Sequence, residues 1–205
     1  MNVAHLLKQF CNLLFPLRED ARLVASATPQ SLDKLQSPNA PAGTRALLPF
    51  THPLVRAAVH EVKFHDNLTA IDLLASPLTR HLSESDATVL VPIPLSRERQ
   101  RVRGYNQVSK LVKVALKKSN CRLIEDMLVK VRDTKPQTTL SRAERLKNVA
   151  DAFGISDEQY ARTLLTNQHI IILDDVVTTG ATLQAAKAAL SPLSPASITC
   201  LALAH

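Results

Sequence analysis

The sequence predicts an α/β domain with a mainly parallel sheet flanked by helices. Three observations carry that prediction. HIIILDDVV (169–177) is a β-branched run without polar alternation, the pattern of a strand buried on both faces. ATVLVPIP (87–94) and SITCLALA (197–204) are two further short buried runs. Segments with helical spacing lie between these runs, and such alternation builds a parallel sheet through crossover connections.

Taken in order, Val3, Leu6, Leu7, Phe10, Leu13 and Leu14 recur at helical spacing. They predict an amphipathic helix over 3–15 that ends near Pro16. Residues 17–50 carry prolines at 29, 38, 41 and 49 and little clear period, and read as an extended connector. PLVRAAVHEVKFHDNLTAIDLLASPLTRHL supplies one helix near 53–63 and a second near 67–82. ATVLVPIP is a strand stopped by two prolines. Residues 104–118 read as a basic helix, with Gly104 freeing a turn and Asn106 placed to cap. Residues 123–132 mix their signals, although VKVR looks like strand, and 135–148 is a polar stretch with a helical centre. A helix is expected from Thr182 to about Leu190. The organisation expected is an N-terminal helix and connector over 1–49 and one α/β domain over 50–205.

Composition narrows the function classes. Hydrophobic residues make up 45% and charged residues 21% of 205, which is a globular mix. Aromatic content of 3% and the lack of Trp argue against a surface that stacks many bases. The net charge of +7 suits nucleic acid or a phosphorylated small molecule as partner. No apolar run approaches the ~20 residues that span a bilayer. The apolar helix at 3–15 has few basic residues, so docking on the domain or a partner is preferred to a membrane-surface role. Cys11, Cys121 and Cys200 are scattered and odd in number, which excludes a disulfide framework and a cysteine-rich zinc site. A reducing cytoplasm is the expected location.

Chemistry concentrates in IIILDDVVTTGATL (170–183). A buried strand ends in two acids, followed by small hydroxyl residues, a glycine and a helix start. Ligands of open α/β sheets bind at the carboxyl ends of the strands, where this loop must lie. Thr178, Thr179, Gly180, Ala181 and Thr182 offer backbone N–H groups at a helix N-terminus, which attracts phosphate. Gly180 lets the backbone curl where a Cβ would intrude. Asp174 and Asp175 would repel phosphate, but suit the vicinal hydroxyls of a sugar or a bound Mg2+. Carboxylates followed by an anion nest fit a ribose 5-phosphate lying across the loop.

That segment resembles the phosphoribosyl pyrophosphate loop of the type I phosphoribosyltransferases. VPIPLSRERQRVRGYNQ (91–107) and KPQTTLSRAERLKNVADAF (135–153) resemble two signature stretches of the ComF family (competence protein F). PLVRAAVHEVKFHDN (53–67) resembles that family's segment ahead of the first strand. The resemblance covers about 50–205 and implies a type I phosphoribosyltransferase-like fold. It implies that Asp174 and Asp175 hold the ribose hydroxyls with Mg2+ nearby, and that residues 178–182 hold the 5-phosphate. It places pyrophosphate at the loop beginning near Leu95 and a flexible lid at 135–148, where Arg142 and Arg145 are the candidates to cover it. Some phosphoribosyltransferases carry an Asp base at the position of Thr178, so purine salvage is not what this residue favours. The chain also departs from the family. LLFP stands at 13–16, but the cysteines of the zinc module that usually follows are missing, and 17–49 takes its place.

Residues 95–118 are the second concentrated signal. Arg97, Arg99, Arg101, Arg103, Lys110, Lys113, Lys117 and Lys118 face the single acid Glu98. On an extended loop the four arginines would point one way. They suit either pyrophosphate, which Arg forks bind well, or the backbone of a nucleic acid. Tyr105 is read either as a stacking ring or as a packed one. His52, His60, His65, His81 and His169 show no metal-ligand spacing. The expectation is therefore a ComF-like protein that binds phosphoribosyl pyrophosphate or a nucleotide and single-stranded DNA, in natural transformation. The alternative is an active Mg2+-dependent phosphoribosyltransferase acting on a nitrogen nucleophile, and a regulatory sensor of phosphoribosyl pyrophosphate is a third reading.

Overall fold

A computed structural model describes residues 18–35, 38–131 and 152–205. The helix predicted at 3–15, the stretch at 135–148, and with them Cys11, Arg142 and Arg145, lie outside these residues. Strands β1 (Arg45–Leu48), β2 (Val89–Pro92), β3 (Arg122–Leu123), β6 (His169–Val176) and β7 (Ser197–Ala204) form one sheet. Their order is β1-β7-β6-β2-β3, and every pairing is parallel. A separate antiparallel ribbon joins β4 (Leu128–Lys130) to β5 (Phe153–Ile155).

The helices are α1 (Glu19–Ala25), α2 (Pro53–His65), α3 (Leu68–Ser83), α4 (Arg97–Arg103), α5 (Gln107–Ala115), α6 (Glu158–Leu165) and α7 (Ala181–Leu190). Caps set several starts. Asn67 accepts from the N–H groups of Thr69 and Ala70, and Asn106 accepts from Val108 N–H at 2.9 Å. Asp157 caps α6 through Tyr160 N–H.

The absence of alternation in β6 has a direct explanation. Ile171 and Leu173 pack into a core shared with α2, α3 and α5, whereas Ile170 and Ile172 pack into a second core beneath α6, α7 and the ribbon. All four side chains are essentially removed from water. At about 1.5–3 kcal/mol per buried aliphatic side chain, both faces of this one strand hold the layers together.

Three differences from the sequence reading stand out. Arg45–Leu48 lies in the stretch read as connector, yet it is a strand of the sheet paired to β7. Four residues are too few to show a period. The arginine-rich loop is a helix, α4, because Ser96 Oγ accepts from Arg99 N–H and Gly104 ends the turn at φ 72°. Val129 and Lys130 of the VKVR run are strand, as read, and lie in the side ribbon, whereas α6 was not anticipated.

Candidate functional site

The sheet order creates the site. From β2 the chain steps outward to β3, whereas from β6 it steps the other way to β7. The loops after β2 and β6 therefore diverge, and a crevice opens at their carboxyl ends. A cleft of about 720 Å³ occupies that position. Asp174, Asp175, the 178–182 loop, Arg99 and Arg103 all line it, joined by Lys63, Gln107 and Lys130.

Asp174 and Asp175 are the last acids of β6. Asp175 is buried, and both of its oxygens are engaged. Lys63 Nζ lies 3.0 Å from Oδ1, and Gln107 Nε2 donates to Oδ2 at 2.5 Å. Asp174 Oδ1 accepts from the N–H of Asp175 at 2.8 Å. Burial and the neighbouring Asp175 charge push the Asp174 carboxyl up to about 7, against the pull of Lys63 and Lys130. The fully ionised pair is thus short of positive charge. Among the described residues, nothing hydrogen-bonds to the buried Gln107 Oε1. An acceptor of this kind beside two carboxylates fits a donor such as a sugar hydroxyl or the water on a hydrated cation. The residues present accordingly suit Mg2+, which Asp174 and Asp175 would hold.

The anion loop follows directly. Gly180 is the N-cap of α7 at φ 79°, in the left-handed region that favours glycine. A Cβ there would meet Thr44 Cγ2 at 3.1 Å and Pro41 Cβ at 3.4 Å. Among the described residues, no backbone carbonyl accepts from the N–H groups of Thr178, Thr179 or Gly180. These donors stand at the positive end of α7. The loop is supported from the connector side. Thr44 closes a turn onto the Pro41 carbonyl, and Gln184 Nε2 donates to the Gly43 carbonyl at 2.9 Å.

The arginines do not act as one row. Helical geometry places Arg99 and Arg103 on the cleft, one turn apart, while Arg97 and Arg101 are exposed and line no part of it. The expectation of four co-facing arginines is corrected, because a period of 3.6 replaces the assumed period of two. Tyr105 takes its packing role. Its hydroxyl donates to the Val62 carbonyl at 2.8 Å, and Lys110 Nζ sits 3.8 Å from the ring centroid.

The sequence reading missed Lys63, Gln107, Lys130 and the turn at 41–44. Lys63 stands four residues after buried Val59, so a lysine at the edge of an apolar stripe was the available signal. It also missed a grouping of His60, Glu61 and His65, whose ligand atoms lie within 4.8 Å of one another. Glu61 is already satisfied there by Arg18 at 3.2 and 3.3 Å and by Asn67 at 2.9 Å, and His60 pairs with Asp20.

Comparison with known proteins matches residues 111–205 to the phosphoribosyl transferase domain family. The match includes β6, the acid pair and the anion loop. The DNA utilization protein YhgH of Escherichia coli K12 is 28% identical over 139 residues, covering 63% of this chain and 58% of that protein. Competence protein ComFC of Bacillus subtilis is 30% identical over 135 residues, covering 63% and 50%. The similarity is to competence proteins of the ComF type. Competence protein F of Haemophilus influenzae is 30% identical over 94 residues, covering 46% of this chain and 40% of that one. The chain thus spans about half the length of the curated relatives it matches. A solved structure of the allosteric regulatory enzyme of purine biosynthesis aligns at a TM-score of 0.41 and 15% identity, over 70% of this chain and 30% of that one. The architecture is a type I phosphoribosyltransferase-like fold, a mainly parallel five-stranded sheet between helices. Among the described residues, no helix is long and apolar enough to cross a membrane.

Proposed function

We propose that this chain binds phosphoribosyl pyrophosphate, or another ribose 5-phosphate ligand, together with Mg2+, and handles single-stranded DNA during DNA uptake in the cytoplasm. The observation that carries the ligand reading is the acid pair of β6 running straight into the αL turn at Gly180, at the topological switch of the sheet. The 178–182 backbone serves the 5-phosphate, Asp174 and Asp175 serve the ribose hydroxyls, and Arg99 and Arg103, which line the same cleft, serve pyrophosphate. Bound Mg2+, which Asp174 and Asp175 would hold, would supply charge neutralisation for the pyrophosphate. The DNA reading is supported by the names of the relatives and by the surplus of exposed arginine on α4.

A second reading, an active phosphoribosyltransferase, draws on the same wall of Arg99 and Arg103. Two guanidinium groups beside a leaving pyrophosphate would stabilise its developing charge, and catalysis would rest on positioning and electrostatics. Calorimetric titration with phosphoribosyl pyrophosphate and Mg2+, with and without bound oligonucleotide, separates the readings. Binding whose affinity shifts with the oligonucleotide supports the DNA-handling protein. Binding with no response to DNA turns attention to nitrogen acceptors, and no binding at all overturns the site.

A further inference from the structure

A second recess, of about 600 Å³, adjoins the first and shares Arg99 and Arg103 with it. It is a groove between two helix faces. α2 contributes Arg56, His60 and Phe64, which recur every fourth residue and so share one face. α4 contributes Arg99, Val102 and Arg103. Two apolar side chains there are unusually open, Phe64 at 58% and Val102 at 82% exposure. The Arg103 guanidinium carbon lies 5.2 Å from the Phe64 ring centroid, and the His60 ring packs against the same phenyl at 4.8 Å. Among the described residues, none of Arg56, Arg99 and Arg103 enters an ion pair.

We propose that this α2–α4 groove holds one nucleotide of single-stranded DNA, its base against Phe64 and its phosphates on Arg56 and Arg103. The charge decides the occupant. An apolar protein surface would leave three unpaired guanidinium groups against the lone acid Glu98, whereas a nucleotide brings a planar face and the matching negative charge. A duplex hides its base faces, so the strand must be single. Lys63, Glu98, Arg99 and Arg103 line both recesses, so the strand would pass directly beside the sugar-phosphate cleft. The inference rests on the DNA part of the reading above and adds to it where a base is held.

The test compares a labelled oligothymidylate with an abasic strand of equal length, by anisotropy, on the parent chain, Phe64→Ala, Phe64→Tyr and Arg97→Ala with Arg101→Ala. The parent is expected to bind the oligothymidylate about tenfold tighter than the abasic strand. Phe64→Ala should erase that preference while leaving abasic affinity and the melting temperature in place, and Phe64→Tyr should restore it. A preference that survives Phe64→Ala overturns the groove while DNA binding itself stands. If neither strand binds the parent while phosphoribosyl pyrophosphate does, the DNA reading fails and the groove falls with it. If the Arg97 and Arg101 changes alone remove binding of both strands, the strand runs over the outer face of α4 and the groove is wrong.

Discussion

Lys63 on α2 and Asp175 on β6, 112 positions apart in sequence, meet at 3.0 Å across the floor of the cleft. The cleft therefore carries its own counter-ion before any ligand arrives. A ligand that engages Asp175 through hydroxyls or a cation must share or displace that ammonium group. The displaced lysine stays next to Arg99 and Arg103, where an anionic ligand would meet it. Lys63→Met should weaken the binding of phosphoribosyl pyrophosphate at every pH. It should also raise the pH needed for binding, because the Lys63 charge is one of the influences that lower the Asp174 carboxyl. Titration at pH 6 and pH 8 checks both shifts.

The acid pair has its own signature in stability. The Asp174 carboxyl is raised from 3.8 to about 7, so the folded chain binds more protons than the unfolded chain between those values. Stability therefore falls as pH rises from about 4 to about 7, then levels off. Asp174→Asn removes this dependence. Urea unfolding should find the variant more stable than the parent at pH 8 and equal to it near pH 4. A parent chain whose stability is flat from pH 5 to pH 8 would contradict the burial assigned to Asp174.

Gly180→Ala tests the anion loop. A left-handed residue with a Cβ costs roughly 1–2 kcal/mol, before the contacts with Thr44 and Pro41 are counted. The variant should melt several degrees lower and lose affinity for inorganic phosphate and sugar phosphate alike. Retained affinity with lowered stability would mean that the turn is structural only.

Arg99→Ala with Arg103→Ala should weaken pyrophosphate-bearing ligands more than ribose 5-phosphate, since these two arginines line the cleft on α4 and not on the 178–182 loop. Arg97→Ala with Arg101→Ala should leave both ligands bound as in the parent. An equal loss in the two pairs would return the arginines to the single row suggested by their alternate spacing.

Away from the site, Glu61 is fully buried and depends on Arg18 and Asn67. Arg18→Ala leaves that carboxylate short of its cation and should cost about 2 kcal/mol in chemical denaturation. Glu61→Gln combined with Arg18→Ala should recover part of the loss.

The parts that were legible in the sequence are those with a strong local pattern. β6 and β7 stand out because burial on both faces removes every polar residue from 170–173 and 200–204. The acid pair and the Gly180 turn stand out because each residue type there has a local physical cause. Lys63 and Gln107 were not legible, since their importance comes from a contact with Asp175 that only the tertiary fold creates. β1 was missed for the same reason, because its four residues gain their strand character from pairing with β7. The arginines of α4 misled because alternation in sequence imitates a strand, while Ser96 and Gly104 impose a helix.

The placement of β7 between β1 and β6 has a consequence for biosynthesis. Among the described residues β1 bonds to the sheet only through β7, although more than 140 residues separate the first residue of one from the first of the other. During translation β1 leaves the ribosome early and then waits, unpaired, for the final strand of the sheet to appear. At roughly 5–20 residues per second this interval lasts roughly 8–30 seconds. Once β6 has been made, its β7-facing edge stays open until Ser197–Ala204 follows. Nascent chains of this protein should therefore lean on chaperones until the sheet closes, and truncation inside 197–204 should yield aggregation rather than a smaller folded domain.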